Sequence, residues 1–193
     1  MKLIDLLHRW LGGILGLVLA VLGLTGAILV HKEDWIALPH AADVRMADPQ
    51  ALGALAEKLL AGASGGESLI FARDRFGLGQ RRKGEGGLYA SQTGETVAEW
   101  SNQWERPELW LFDLHHHLFT GDTGETVIGV AGLAALGFVV TGTILWWRTR
   151  RTFRFRLWPA RMPGPAIRMH HRDIGIVFAP LLFLTALTGT MMV

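Results

Sequence analysis

The stretch HRWLGGILGLVLAVLGLTG, which runs from His8 to Gly26, decides the fold of this chain. It lies within the apolar run Leu11–Val30, and two further runs of the same kind follow at Val127–Trp147 and Ile174–Val193. Each run holds about 20 residues, which as a helix spans roughly 30 Å, the thickness of the hydrocarbon core of a bilayer. The sequence therefore predicts three transmembrane helices.

Charge indicates how these helices are oriented. The segment Arg148–Arg172, between the second and third runs, carries eight arginines and no acidic residue, whereas residues 32–125 carry nine basic and fifteen acidic residues. Cytoplasmic loops of membrane proteins are enriched in Lys and Arg. We therefore expect the N-terminus and the arginine-rich loop in the cytoplasm and the long segment outside. A topological anchor explains these arginines better than a nucleic-acid surface does.

The long outer segment carries the local signals of a small α+β unit. Asp48 and Pro49 begin a predicted helix over residues 48–61, as an N-cap followed by a proline in the first turn. Strands are predicted at Ser68–Asp74 and Gly87–Ser91, and the turn in SQTGETVAEW leads to a third strand. The basic, glycine-rich stretch GLGQRRKGEGG, residues 77–87, is predicted as a polar loop.

Aromatic residues are expected at both boundaries of the second span. The stretch from Trp104 to Gly124 is predicted as an interfacial helix or as a helical extension of that span, and Trp146, Trp147 and Trp158 are expected in the aromatic belt on the inner side. The predicted organisation is a short cytoplasmic N-terminus with the first span (1–31), an outer domain (32–112), an interfacial segment with the second span (113–147), an arginine-rich cytoplasmic loop (148–172) and a third span (173–193).

The first and third spans repeat one pattern. HRWLGGILGLVLAVLGLTG (8–26) aligns without a gap with HRDIGIVFAPLLFLTALTG (171–189), so that both begin H-R-x-x-G and end L-T-G. Because the two spans run in the same direction, we expect His8 and His171 at the same depth, at the cytoplasmic ends. The second span carries T-G as well, at Thr141 and Gly142. The small residues of the spans allow either close helix packing or room for a flat ligand.

Eight histidines and no cysteine limit the metal chemistry. Without cysteine, thiolate zinc sites and iron–sulfur clusters are excluded. A lone interfacial histidine is usually solvated, but imidazoles from separate helices that meet at one boundary suit bis-histidine ligation of haem iron. Zinc needs three or four ligands, for which the inner group is too sparse. The inner group is His8, His170 and His171, and the outer group is His31, His40, His115, His116 and His117.

The motifs HRWLG…LTG, LHHHLFTGDTG…VTGTILWW and HRDIG…ALTG carry a family resemblance. In that order they resemble the PepSY-associated transmembrane proteins, and the resemblance covers all three spans. It implies an all-α membrane bundle of three transmembrane helices with a small extracytoplasmic α+β PepSY-like loop domain, as a multi-pass protein of the bacterial inner membrane. The family includes inner-membrane reductases that act in iron and siderophore uptake, some of which hold haem between transmembrane histidines.

The resemblance also implies ligands for haem. The family's H-R-x-x-G histidines fall on His8 and His171, with His170 as the alternative at the inner site. Its L-H-x-x-L histidine falls on His115. Its neighbours His116 and His117 are further candidates, because one turn of helix can aim only some of three consecutive side chains inward. His31 is the natural partner of this group at the outer site.

The expected function is haem-dependent electron transfer across the membrane. Two haem b groups, one near each membrane face, would carry electrons from a cytoplasmic donor protein or a quinol to a ferric chelate on the periplasmic side. Arg9, Arg168 and Arg172 lie near the inner site, where they can pair with haem propionates or simply anchor the topology. His8 and His31 are separated by roughly 35 Å along a straight helix, a gap that a single-haem protein would avoid.

Two further possibilities follow from the same observations. The fuller members of the family carry a fourth span and a larger PepSY region, so a homodimer is one arrangement that we consider. The alternative function is non-redox: the PepSY-like loop would bind a periplasmic protein or peptidase, and the spans would be its anchor. No dinucleotide-binding fingerprint is present, because GVAGLAALG lies inside the second span.

Overall fold

The computed structural model describes residues 2–40, 42, 46–61, 68–71, 78–83, 86–91 and 93–192. The chain divides into two compact units. The first consists of Met1–Leu24 and Leu114–Val193, and the second of Thr25–Asp113. The first unit is helical, and the second contains the β-sheet.

Three long helices carry the three apolar runs: α1 (Lys2–Leu29), α5 (Asp122–Thr149) and α6 (Gly164–Met191). All three are long and apolar enough to cross a membrane, as predicted. The third helix begins at Gly164 rather than at the predicted Ile174, because Pro165 in its first turn suits a helix start. Val193, the last residue of the predicted third span, lies outside the described residues.

The small residues of the spans do not share one role. At Gly132 of α5, an added β-carbon would collide with the Thr190 hydroxyl of α6, so glycine permits close packing of these two helices. On α1, by contrast, a β-carbon at Gly12, Gly16 or Gly23 would meet no described atom within 4 Å. Close helix packing therefore explains Gly132 but not the glycines of α1.

The residues before α5 form a separate short helix, α4 (Pro107–His117), and not a continuous extension of the span. The chain turns sharply after His117, where Leu118 (φ 49°) and Phe119 (φ 61°) both adopt the left-handed conformation. This conformation is uncommon for bulky residues. A β-carbon at Gly124 would collide with the backbone of His117, so a glycine is required where α5 passes this turn. The turn thus sets the position of the three consecutive histidines relative to α5.

The second unit contains a four-stranded antiparallel sheet in the order β1-β2-β3-β4. Its strands are β1 (Ser68–Phe71), β2 (Leu78–Lys83), β3 (Gly86–Ser91) and β4 (Thr96–Trp100). The prediction of a polar loop over 77–87 is therefore wrong. β2 pairs with β1 on one side and with β3 on the other, and this pairing outweighs the weak strand preference of its Gly and basic residues. Residues 72–74 of the first predicted strand lie outside the described residues.

Helix α3 (Pro49–Leu60) packs on this sheet, and its prediction is confirmed. The Asp48 side chain accepts a hydrogen bond from the Gln50 backbone N–H at 3.0 Å, which satisfies one of the free donors at the helix start. Leu55 and Leu59 of α3 form the buried core with Leu88 and Ala90 of β3. Upstream of α3, the chain forms the short helix α2 (Lys32–Ala37) and a 3-10 turn, Leu38–His40.

A buried polar cluster joins strands β3 and β4 to the start of α4. Tyr89 donates a hydrogen bond from its hydroxyl to Glu108 Oε1 at 2.9 Å, and Arg106 Nε donates to the same oxygen at 2.7 Å. The Arg106 guanidinium lies over the rings of Tyr89 and Trp100, at 5.2 and 5.9 Å from their centroids. These contacts hold the first turn of α4 against β3 and β4.

Candidate functional site

Two of the predicted ligands meet within the helical unit. The rings of His8 on α1 and His171 on α6 have centroids 6.4 Å apart and planes inclined by 53°. A metal–imidazole bond is about 2 Å long and the ring centre lies about 1 Å beyond the nitrogen, so two axial imidazoles on one metal have centroids roughly 6 Å apart. The spacing of the two rings therefore suits a shared metal centre.

The hydroxyl of Thr141 on α5 orients the His8 ring. Thr141 Oγ1 lies 2.8 Å from the Gly137 carbonyl oxygen and 2.9 Å from His8 Nδ1. Thr141 donates its one hydroxyl proton to the Gly137 carbonyl, and on that basis we assign His8 the Nδ1–H tautomer, in which its ring donates to Thr141. The lone pair of the His8 ring is then on Nε2, the nitrogen free to bind a metal. Metal-binding histidines are commonly held by a hydrogen bond from the other ring nitrogen.

The residue after Thr141 makes space for the same ring. A β-carbon at Gly142 would lie 3.3 Å from Cε1 of His8, tighter than most such contacts. His8 also packs edge-on against Phe138, one turn before Gly142 on α5, with ring centroids 5.7 Å apart. The T-G pair of the second span thus has a defined geometric role, since Thr141 fixes the tautomer of His8 and Gly142 admits its ring.

Trp146 and Trp147 differ in orientation, although both were predicted in one aromatic belt. Trp147 is exposed and the Arg150 guanidinium stacks on it at 4.4 Å from the ring centroid, as suits a belt position. The indole N–H of Trp146 is buried, and among the described residues it has no hydrogen-bond partner. Trp146 lies four residues after Gly142 and so on the same face of α5. Its buried donor therefore faces inward, on the side of α5 that contacts His8.

The predicted arginines are arranged differently from one another. Arg9 is exposed and lies 3.8 Å from Asp5, one turn earlier on α1. Arg168 is exposed as well. Arg172, next to His171, donates to Asp173 Oδ1 at 2.7 Å and to the hydroxyl of Thr152 at 3.0 Å. Arg172 is thus already engaged with protein groups.

Among the three consecutive histidines, His115 has the clearest structural role. It is half-buried, and this burial lowers the pKa of its ring from the usual histidine value. A hydrogen bond to the backbone of Leu22 on α1 partly opposes the shift, so the ring N–H donates to that carbonyl. Burial therefore favours the neutral form of the His115 ring, which is anchored to Leu22. The ring centroids of His115 and His116 are 5.2 Å apart, and those of His116 and His117 are 6.2 Å apart.

The remaining predicted ligands stay predictions. His31 lies in the turn after α1, exposed, with Nδ1 3.4 Å from Asp34 Oδ2. It belongs to the second compact unit, whereas His115–His117 belong to the first, so their pairing is untested. His170 lies about 100° around α6 from His171 and stays the predicted alternative at the inner site.

Sequence reasoning missed three residues of this region. Thr141 was noted only as part of a repeated T-G, and its repetition in all three spans was the available signal. Trp146 is indistinguishable from Trp147 by composition. Asp173 is buried, and the signal was its position as the first acidic residue after 25 residues that carry eight arginines.

Comparisons with known proteins agree with the helical architecture. A family model described as the PepSY-associated TM region matches residues 6–193. No curated protein and no solved structure matches the chain. Within the described ranges, no group of three or more His, Cys, Asp or Glu residues is arranged to hold a metal ion. Similarity to siderophore and ferric reductases in particular stays a prediction.

Proposed function

The chain belongs to the PepSY-associated transmembrane family, and from that membership we propose that it is a haem-binding membrane protein. In this proposal it passes electrons across the bacterial inner membrane to a ferric chelate on the periplasmic side. The N-terminus and the arginine-rich loop would face the cytoplasm, in keeping with the enrichment of arginine in cytoplasmic loops.

The observation that carries the proposal is the pair of rings from α1 and α6. His8 and His171 approach with centroids 6.4 Å apart, and Thr141 holds Nδ1 of His8, so that Nε2 would be the nitrogen that binds the iron. These two residues would hold the inner haem b. The haem would supply reversible one-electron chemistry when bound.

Two further residues support this proposal, Gly142 through the position of His8 and Trp146 as a hydrogen-bond donor to an acidic group of the cofactor. Gly142 keeps the α5 backbone clear beside His8, where a larger residue would press on the ring. The buried indole N–H of Trp146 lacks a partner among the described residues, and such donors are costly in an apolar environment. A propionate oxygen would accept this hydrogen bond. Arg172 fits that role less well, because Asp173 and Thr152 already hold its guanidinium.

A second haem near the outer face would use His115. The ring of this residue is anchored to Leu22, which lies about 21 Å along α1 from His8 by the helical rise. That separation is shorter than the roughly 35 Å between His8 and His31, so transfer between cofactors held at His8 and His115 is the easier route. His31, His116 or His117 would complete the outer site.

The partners follow from the chemistry. A cytoplasmic donor protein or a quinol would reduce the inner site, and a ferric chelate would be reduced at the outer face. Fe(III) binds hard oxygen ligands tightly, and its reduction weakens that binding, so that the metal is released.

The test is a haem assay on the purified full-length chain. We expect a red protein whose pyridine haemochrome spectrum gives haem b, and loss of inner-site haem in H8A/H171A. The matched control is H170A, which removes a neighbouring imidazole and should retain the haem. A colourless wild-type protein would refute the proposed function and favour the anchored, non-redox module. A red H8A/H171A protein with unchanged haem content would refute only the ligand assignment.

A further inference from the structure

The loop that joins α5 and α6, residues 150–163 and called the basic loop below, must lie at a membrane surface. Both flanking helices are long and apolar enough to span the bilayer, so both ends of the basic loop emerge on the same side. The loop contains five arginines and no acidic residue. These are Arg150, Arg151, Arg154, Arg156 and Arg161.

A buried carboxylate fixes the first half of the basic loop to α6. Asp173 is only 4% exposed, and its Oδ2 accepts a hydrogen bond from the backbone N–H of Arg154 at 3.1 Å. Arg172 donates to Asp173 Oδ1 and also to the Thr152 hydroxyl and carbonyl, at 3.0 and 3.1 Å. The carboxylate thus neutralises Arg172 and holds the loop backbone, while the Arg154 side chain is left exposed. These contacts hold residues 152–154 of the basic loop against α6.

Arginine and apolar residues alternate in the sequence of this part of the loop, in the run Phe153, Arg154, Phe155, Arg156 and Leu157. Phe153 is extended (φ −62°, ψ 132°). Phe153 packs edge-on against Trp146 with centroids 6.1 Å apart, whereas Arg154, Phe155 and Arg156 are exposed. The basic loop also carries large apolar side chains with high exposure: Phe155 (51%), Leu157 (62%), Trp158 (82%) and Met162 (77%).

We propose that the basic loop is a binding surface for anionic phospholipids. The guanidinium groups of Arg151, Arg154, Arg156 and Arg161 would bind lipid phosphates. Leu157 and Trp158 would enter the boundary between headgroups and acyl chains, where amphipathic aromatic residues are favoured. An acidic soluble protein would match the charge of the loop. It would not account for the exposed apolar side chains at a point that the two spans hold at the bilayer surface.

The experiment measures lipid preference with the full-length chain. The protein is reconstituted in nanodiscs of phosphatidylcholine mixed with phosphatidylglycerol, extracted into mild detergent, and analysed for retained lipids by native mass spectrometry. We expect the wild type to retain phosphatidylglycerol in preference to phosphatidylcholine. In R154Q/R156Q we expect this preference to fall about thirty-fold, which corresponds to about 2 kcal/mol for two arginines near an anionic surface.

This variant keeps the fold, because Arg154 is anchored to Asp173 through its backbone and not through its side chain. R81Q/R82Q on β2 is the control with the same loss of charge, and it should retain phosphatidylglycerol like the wild type. Equal retention of the two lipids by the wild type would overturn the proposal, as would unchanged preference in R154Q/R156Q. Salt-sensitive capture of an acidic soluble protein without any lipid preference would also overturn it, and would assign the loop to protein docking. None of these outcomes depends on haem.

Discussion

Replacing Thr141 with valine tests the proposed inner site most directly. Valine has nearly the shape of threonine but lacks the hydroxyl that accepts the Nδ1–H of His8 at 2.9 Å. A partly buried donor left without a partner costs about 1–3 kcal/mol. Loss of a hydrogen bond that orients a metal ligand typically weakens metal binding by about 10–100-fold, which corresponds to about 1.4–2.7 kcal/mol. The two estimates agree, so we expect haem affinity to fall by that factor in T141V.

The assay is transfer of haem to excess apomyoglobin, followed by absorbance, together with a redox titration. Without its acceptor, the His8 ring donates less electron density to iron, so the ferric form is less stabilised and the midpoint potential should rise. T143V is the matched control, because Thr143 also donates to the carbonyl four residues earlier, at 2.7 Å, but is exposed. Wild-type haem release and potential in T141V would refute the reasoning, as would equal changes in both variants.

Three further predictions concern stability. In G132A, the added β-carbon meets the Thr190 hydroxyl, so we expect overpacking to destabilise the fold by about 1–3 kcal/mol and to lower the thermal unfolding temperature in detergent. G132A/T190A should recover most of this loss of stability. No recovery in the double variant would contradict the assigned contact. D173A should cost about 1–3 kcal/mol for the donors it leaves unpaired and D173N clearly less, since an amide oxygen still accepts; equal unfolding temperatures for the two variants would argue against the carboxylate's role. The pKa of His115 is lowered by burial, so the unfolded chain binds its proton more readily than the folded one. The stabilising effect of its neutral ring is complete above the usual histidine pKa of about 6.5 and is lost as pH falls through the lowered pKa. Melting curves of H115Q should depend less on pH in this range, and a pH dependence identical to that of the wild type would exclude His115 as the cause.

The parts of the fold that one local rule determines could be predicted from sequence. The spans follow from the thickness of the bilayer, and α3 from the cap at Asp48 and the proline beside it. β2 could not be predicted, because its strand character comes from neighbours on both sides and not from its own Gly and basic residues.

The candidate site divides in the same way. The internal repeat placed His8 and His171 at equal depth, and in the structure their rings lie close together. The hydrogen bond between Thr141 and His8 could not be predicted from sequence, because it depends on how far α5 is rotated about its axis. The same rotation separates the buried Trp146 from the exposed Trp147, which no hydropathy pattern distinguishes.

The close pair of His8 and His171 has a consequence for biosynthesis. One imidazole is on α1 and the other on α6, and α5, which orients the first, is made in between. During translation the helices enter the membrane one after another. A nascent chain stalled before α6 has His8 but not His171, so it cannot hold a metal between these two imidazoles. Assembly of the pair therefore has to wait for insertion of α6. Under the proposed function, a shortage of haem should leave fully inserted but unloaded protein, and not chains arrested partway through synthesis.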